Sequence, residues 1–177
     1  MPDQVQACQF VAMVLRFSLR IDIAWVSLGR RVSSSIYRPG MRTLHSAYRV
    51  TDLAASLAFY AALGYDQVGR VDLGDGMTLT MLKFPDDDVV TLELAHRPAD
   101  GPVVIGSGFS HLAVQVDNLG ATLEAVTKAG LSPGPVERPG GLDGPQTSWL
   151  ADPDGYRIEL VQWPPRHAYG ITAADFG

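Results

Sequence analysis

At 177 residues the chain has room for one ordinary domain, or for two small modules sharing a core. An apolar fraction of 46% and a charged fraction of 19% exclude an intrinsically disordered chain. A net charge of −5, with a pI near 5.2, argues against nucleic acid or an anionic membrane as partner. A single cysteine, Cys8, permits no internal disulfide and fits a reducing, cytoplasmic setting.

Charge is uneven along the chain. Residues 1–40 hold five Arg against two Asp, a local excess of +3 that leaves −8 for residues 41–177. The stretch from Gln9 to Leu28 is fairly apolar, but Arg16, Arg20 and Asp22 interrupt it. No run approaches the ~18 to 20 uncharged apolar residues of a membrane-spanning helix, and no basic segment opens a secretory signal. Residues 1–40 are therefore expected to be an extension outside the functional domain, with the functional chain starting at Met41. Ser33-Ser34-Ser35 and Pro39-Gly40 read as the linker into it.

Residues 43–50 read as a strand that sets His45, Ala47 and Arg49 on one face. Thr51 or Asp52 can cap a helix carrying Leu53, Leu57, Tyr60 and Leu63 at helical spacing, with Gly64 at its C-terminal end. Three further strands are expected at Tyr65–Asp72, Met77–Phe84 and Val89–Leu94, broken at Gly74-Asp75-Gly76 and Pro85-Asp86-Asp87-Asp88. That is a βαβββ module, residues 41–95. A Pro- and Gly-containing linker, 96–108, leads to a second module, 109–163. There a strand His111–Val116 is followed by a helix capped by Asp117 or Asn118 and ended by Gly130. Residues 164–177 form a tail without clear periodicity. The fold class implied is α+β, with paired βαβββ modules building a concave mixed sheet and helices on its outer face.

The two modules share one register. His45 and Glu93 are 48 residues apart, as are His111 and Glu159, and both members are shifted by 66. Strand parity places each of the four away from its more aliphatic neighbours: Glu93 opposite Leu92 and Leu94, Glu159 opposite Ile158 and Leu160, His111 opposite Leu112 and Val114. A lone strand histidine is usually structural, but four such residues in one repeat register read as a metal site. Two imidazoles and two carboxylates suit a divalent ion of the Ni, Zn, Co or Fe kind. His96 has the opposite parity to Glu93 and reads as a non-ligand. Asp86-Asp87-Asp88 reads as a solvated turn.

The run Met41-Arg-Thr-Leu-His-Ser-Ala-Tyr-Arg-Val50, the segment Asp52 to Gly64 with Ser56 and Phe59-Tyr60, Ser110-His111-Leu-Ala-Val, and Asp152-Pro-Asp-Gly-Tyr-Arg-Ile-Glu-Leu160 resemble glyoxalase I (lactoylglutathione lyase) of the vicinal oxygen chelate superfamily. The resemblance covers residues 41 to about 163. It implies His45, Glu93, His111 and Glu159 as ligands of one divalent ion, Ni²⁺ or Co²⁺ before Zn²⁺. It also implies a homodimer with each site at the interface, built from one His/Glu pair of each chain. The implied reaction, part of methylglyoxal detoxification, isomerises the hemithioacetal of methylglyoxal and a small thiol to a 2-hydroxyacyl thioester through an enediolate stabilised by the ion. Glu159 is assigned as principal base with Glu93 as its partner. Arg49 falls at a substrate-carboxylate position but reads equally as an ordinary salt-bridge partner, and Arg97 stands where the family carries an asparagine. The loop Gly140-Gly141-Leu142-Asp143-Gly144 lacks the family's lysine, so the thiol is glutathione or another. An acyl-thioester epimerase resembling methylmalonyl-CoA epimerase, which has glutamine where this chain has Glu93, and a non-catalytic antibiotic-binding member are the alternatives.

Overall fold

In a computed structural model that describes residues 40–165 and Thr172, the first module begins with β1 (Ser46–Arg49) and α1 (Leu53–Leu63). Asp52 is the residue that caps α1, its carboxylate accepting from the Ala55 N–H at 3.0 Å. Gly64 ends the helix at φ +107°, a left-handed conformation that favours glycine, and the Tyr65 N–H closes back on the Tyr60 carbonyl at 2.9 Å. β2 (Asp66–Gly74), β3 (Met77–Lys83) and β4 (Leu92–His96) complete a four-stranded sheet in the order β1-β4-β3-β2. β1 runs parallel to β4, and the other pairs are antiparallel.

The last strand starts later than the expected Val89. Asp87 gathers the preceding segment instead, accepting from the Phe84 N–H at 3.3 Å and the Thr91 hydroxyl at 3.2 Å. Its backbone carbonyl also receives the Lys83 ammonium. Asp86 and Asp88 are exposed, as a solvated turn implies, while Asp87 is half-buried and bonded into it.

The second module contributes β5 (Leu112–Gln115), α2 (Leu119–Lys128), β6 (Gln146–Ala151) and β7 (Arg157–Gln162), in a sheet of order β5-β7-β6. Asn118 caps α2 by accepting from the Ala121 N–H at 2.9 Å. The expected βαβββ pattern is incomplete here: the module's second strand is reduced to a bridge between Glu137 and Thr147. The cause is in the sequence. Pro133, Pro135 and Pro139 remove three ladder donors from this segment. What survives is the Gly134 N–H to the Trp149 carbonyl at 2.8 Å and the Glu137–Thr147 exchange at 2.8 and 3.0 Å.

The aliphatic strand faces form the core. Leu92, Leu94, Ile158 and Leu160 are fully buried, with Tyr60 from α1 and Leu119 and Val126 from α2 in the same cluster. The modules are fastened by the turn between β6 and β7. Asp152 is buried, and its carboxylate accepts from the Tyr60 hydroxyl at 3.1 Å and the N–H groups of Asp154 and Tyr156 at 3.0 and 2.8 Å. Asp154 in turn accepts from the Thr51 N–H at 2.9 Å, just before α1, and Tyr156 stacks on Tyr48 at 4.5 Å. Burial pushes the Asp152 carboxyl above the usual carboxylate range, against the opposing pull of the Tyr156 and Asp154 N–H groups and the Tyr60 hydroxyl. Burial likewise raises Tyr60, and lifts Tyr48 to about 12. Expectations for residues 1–39 and most of the tail lie outside the described residues.

Candidate metal centre

Each sheet places one histidine beside one glutamate by the same device. In the first module Glu93 lies in register between Ala47 of β1 and Met81 of β3. His45, one residue ahead of β1, shares that face, and its Nε2 lies 3.4 Å from Glu93 Oε2. In the second module Glu159 lies between Ala113 of β5 and Trp149 of β6. His111 precedes β5 by one residue, with its Nε2 again 3.4 Å from Glu159 Oε2. Alanines flank both glutamates, so nothing bulky on the parallel neighbour blocks the histidine's approach.

A separation of 3.4 Å is long for a hydrogen bond. It does suit two ligands of one ion. Ligands at about 2.1 Å span roughly 3.0 Å when at right angles and about 3.4 Å at the tetrahedral angle. The side chains are shielded without being sealed: His45 and Glu93 are 23% and 12% exposed, His111 and Glu159 34% and 18%. Each pair therefore fits half of a divalent-metal site, with nitrogen and oxygen donors of the right kind.

The structure does not bring the four candidate ligands into one cluster within the chain. Among the described residues, no group of three or more His, Cys, Asp or Glu converges on a common point. A cleft of about 450 Å³ beside Trp163 and another of about 410 Å³ beside Phe84 contain none of the four. His96 lies on β4 in register with Thr78 of β3.

The surroundings differ between the pairs. His111 Nδ1 meets Ser110 Oγ at 2.8 Å; with Nδ1 as the donor, Nε2 keeps the lone pair a metal needs. Leu44 stands at the corresponding place before His45 and can make no such bond. Trp149 packs edge-on against the His111 ring at 5.3 Å, and the Arg157 guanidinium lies 4.1 Å over the Trp149 ring. Sequence reasoning does not single out Ser110 or Trp149. Ser110 adjoins a candidate ligand, which is a usable signal, whereas Trp149 becomes visible only through strand register.

Arg49 and Arg97, the expected substrate arginines, are engaged with the linker. Arg49 donates to the carbonyls of Asp100 at 3.2 Å and Pro102 at 2.8 Å, and its guanidinium lies 3.6 Å from the Asp100 carboxylate. Arg97 pairs with Asp75 at 3.1 Å and reaches Asp100 at 3.9 Å.

A repeated module carrying a His/Glu pair at the same place in each sheet defines a class. Residues 42–160 match the Glyoxalase/Bleomycin resistance protein/Dioxygenase superfamily, and the chain belongs to that family. Within it, the likeness is to glyoxalases. The chain is 37% identical over 128 residues to the lactoylglutathione lyase of Neisseria meningitidis, a match covering 69% of this chain and 91% of that one. It is 34% identical over 130 residues to a probable chloroplastic lactoylglutathione lyase of Arabidopsis thaliana, covering 70% of this chain but only 36% of that longer protein. Among solved structures, a mutant form of glyoxalase I from Zea mays matches at a TM-score of 0.60 and 27% identity, over 68% of this chain and 44% of that one. The chain thus spans less than half the length of these plant proteins and nearly all of the bacterial one. Among the described residues, no helix is long and apolar enough to cross a membrane.

Proposed function

We propose that this chain is a metal-dependent glyoxalase I-type lyase, isomerising the hemithioacetal of methylglyoxal and a small thiol to the 2-hydroxyacyl thioester. The observation that carries this reading is the twinned His/Glu pair, with the same 3.4 Å separation at the same place in both modules. Residues 41–177 would be the catalytic unit, acting in the cytoplasm. A divalent ion at His45, Glu93, His111 and Glu159, with Ni²⁺ or Co²⁺ preferred to Zn²⁺, would supply Lewis-acid stabilisation of negative charge developing on substrate oxygens.

The remaining chemistry belongs to the protein. Glu159 takes the proton from the carbon bearing sulfur and hydroxyl and returns it to the neighbouring carbonyl carbon, while the hydroxyl proton passes to the former carbonyl oxygen and leaves the thioester carbonyl behind; Glu93 assists from the opposite side. No electrons enter or leave, so no further reactant is needed. The aliphatic core behind β4 and β7 keeps both glutamates in place, because a flip of either strand face would bury a charge. Arg49 and Arg97 serve the substrate from the rim of the first module, each sharing its charge with Asp100.

Each chain presents two separate half-sites. We assign their completion to a second copy in a two-fold homodimer, the first module's pair of one chain facing the second module's pair of the other. Complementation tests this directly. Glu93→Ala and Glu159→Ala chains, each inactive alone, are unfolded, mixed and refolded in excess Ni²⁺ or Co²⁺. Sites shared between chains regain roughly a quarter of wild-type turnover of methylglyoxal with thiol, since half the dimers are mixed and each holds one intact site. Sites closed within one chain regain none. Failure of the wild-type protein to turn over methylglyoxal with any thiol under Ni²⁺, Co²⁺, Zn²⁺ or Fe²⁺ would end the glyoxalase reading.

A further inference from the structure

The face of the second module that bears His111 and Glu159 holds a cation to which the proposed reaction gives no role. Arg157 precedes Glu159 by two residues on β7 and so shares its strand face. It pairs in register with Ala151, two residues beyond Trp149 on β6, and its guanidinium carbon lies 4.1 Å from the Trp149 ring centre. Trp149 is itself in register with Glu159 and packs on the His111 ring. His111, Glu159, Trp149 and Arg157 therefore form one continuous surface. At the corresponding place in the first module stands Thr91, a neutral residue whose hydroxyl is bonded to Asp87.

The three arginines near the two half-sites are not equivalent as anion binders. Arg49 and Arg97 are held by Asp100, Asp75 and linker carbonyls. Among the described residues, Arg157 has no carboxylate within ion-pair distance; its contact is the indole face. Stacking occupies the flat face of a guanidinium and leaves its edge of N–H donors open, while limiting the rotamers the side chain must give up on binding. An edge so presented matches a carboxylate through two parallel hydrogen bonds.

We propose that Arg157, seated on Trp149, binds a carboxylate of the thiol portion of the substrate, and so selects an anionic thiol adduct over a neutral one. The proposal rests on the glyoxalase reading of the same face. The protein carries a net charge of −5, and an incoming anion gains from a local cation on this surface. The asymmetry between Arg157 and Thr91 would also fix which way round the substrate lies across a nearly symmetric set of ligands.

The test is binding as well as turnover. Metal-loaded wild type, Arg157→Met and Arg157→Lys are titrated calorimetrically with S-methylglutathione and with its uncharged-carboxyl diethyl ester. Wild type should bind the free acid about tenfold more tightly than Arg157→Met does, the loss expected for one charge-assisted hydrogen-bonded contact. The diester should bind both proteins alike, and Arg157→Lys should recover part of the difference. In turnover of the glutathione–methylglyoxal adduct the same change should appear in KM and leave kcat nearly unaltered. The adduct of 2-mercaptoethanol, which has no carboxylate, should be indifferent to residue 157. Equal affinity of wild type and Arg157→Met for the free acid overturns the proposal, as does failure of wild type to prefer the acid to the ester. Turnover of the neutral adduct in either case would leave the glyoxalase reading standing, whereas a wild type that turns over no adduct at all would remove that reading.

Discussion

The two modules of this chain share a ligand geometry and little else around it. Both hold a histidine one residue ahead of a parallel strand, 3.4 Å from a glutamate on the neighbouring strand. The first module builds that pair into a complete four-stranded sheet, where Met81 and Thr91 are its neutral neighbours. The second has only three strands but surrounds its pair with Ser110, Trp149 and Arg157. The repeat keeps a His/Glu donor pair and varies the residues around it. On the proposed function, one half is mainly a holder, while the other also orients and selects.

The strongest way to break this comparison is to treat the two glutamates as interchangeable. At saturating Ni²⁺ or Co²⁺, Glu159→Gln should lower kcat by about 10³-fold, within the range seen when a positioned acid–base group is lost. Glu93→Gln should retain more activity under the same conditions, because the proposed function makes its carboxylate the partner rather than the principal base. Bound metal measured by mass spectrometry separates loss of the ion from loss of proton transfer. Near-normal turnover by Glu159→Gln, with Glu93→Gln inactive and both fully loaded, would exchange the assigned roles.

Strand parity, a property of local backbone geometry, and the 66-residue offset, visible by laying one half of the chain on the other, are enough to pick the four ligand candidates. The caps are legible because they too are local: Asp52 and Asn118 act within three residues of themselves. What escapes is decided by partners far along the chain. Arg49 reads equally as a substrate arginine and as a salt-bridge partner, and only the fold shows that residues 100–102 meet its donors. Asp152 stands in the sequence as the start of an Asp-Pro-Asp-Gly run, yet Tyr60, 92 residues earlier, makes it a buried junction. The missing second strand of module two is a different case, since Pro133, Pro135 and Pro139 sit in the sequence. Repeat register alone implies a strand there, and local backbone chemistry overrides it.

A second test loosens the junction between the modules and leaves the half-sites unaltered. Asp152→Ala would leave the Tyr60 hydroxyl and two backbone N–H groups without their acceptor, and should cost about 3 kcal/mol of stability. Denaturant unfolding measures it. The pH response carries a sign. The Asp152 carboxyl is raised by burial, so the native state binds a proton more tightly than the unfolded chain. Its contribution to stability is therefore fullest below the unfolded value of 3.8, and falls as pH rises from there through the raised native value. Asp152→Asn, which keeps the shape and one acceptor, should flatten the unfolding free energy across that window relative to wild type. An unchanged slope would show that Asp152 does not titrate with folding.

The smallest expected effect bears most directly on the difference between the halves. Among the described residues, Ser110→Ala removes the one hydrogen bond to the ring of a candidate ligand histidine, and module one has no counterpart to remove. Without it the His111 ring can turn and can populate the tautomer that carries its proton on Nε2, which competes with metal. Metal affinity, measured by competition with a chelator of known strength, should fall about tenfold, the lower end for loss of an orienting partner. Ser110→Thr, which keeps the hydroxyl, should recover most of it. Substituting Leu44, at the same place before His45, with Ala should leave affinity unchanged, because that side chain is exposed and donates nothing. If the Leu44 and Ser110 variants lose metal equally, the halves are held by packing alone, and the hydroxyl at 2.8 Å from His111 is incidental.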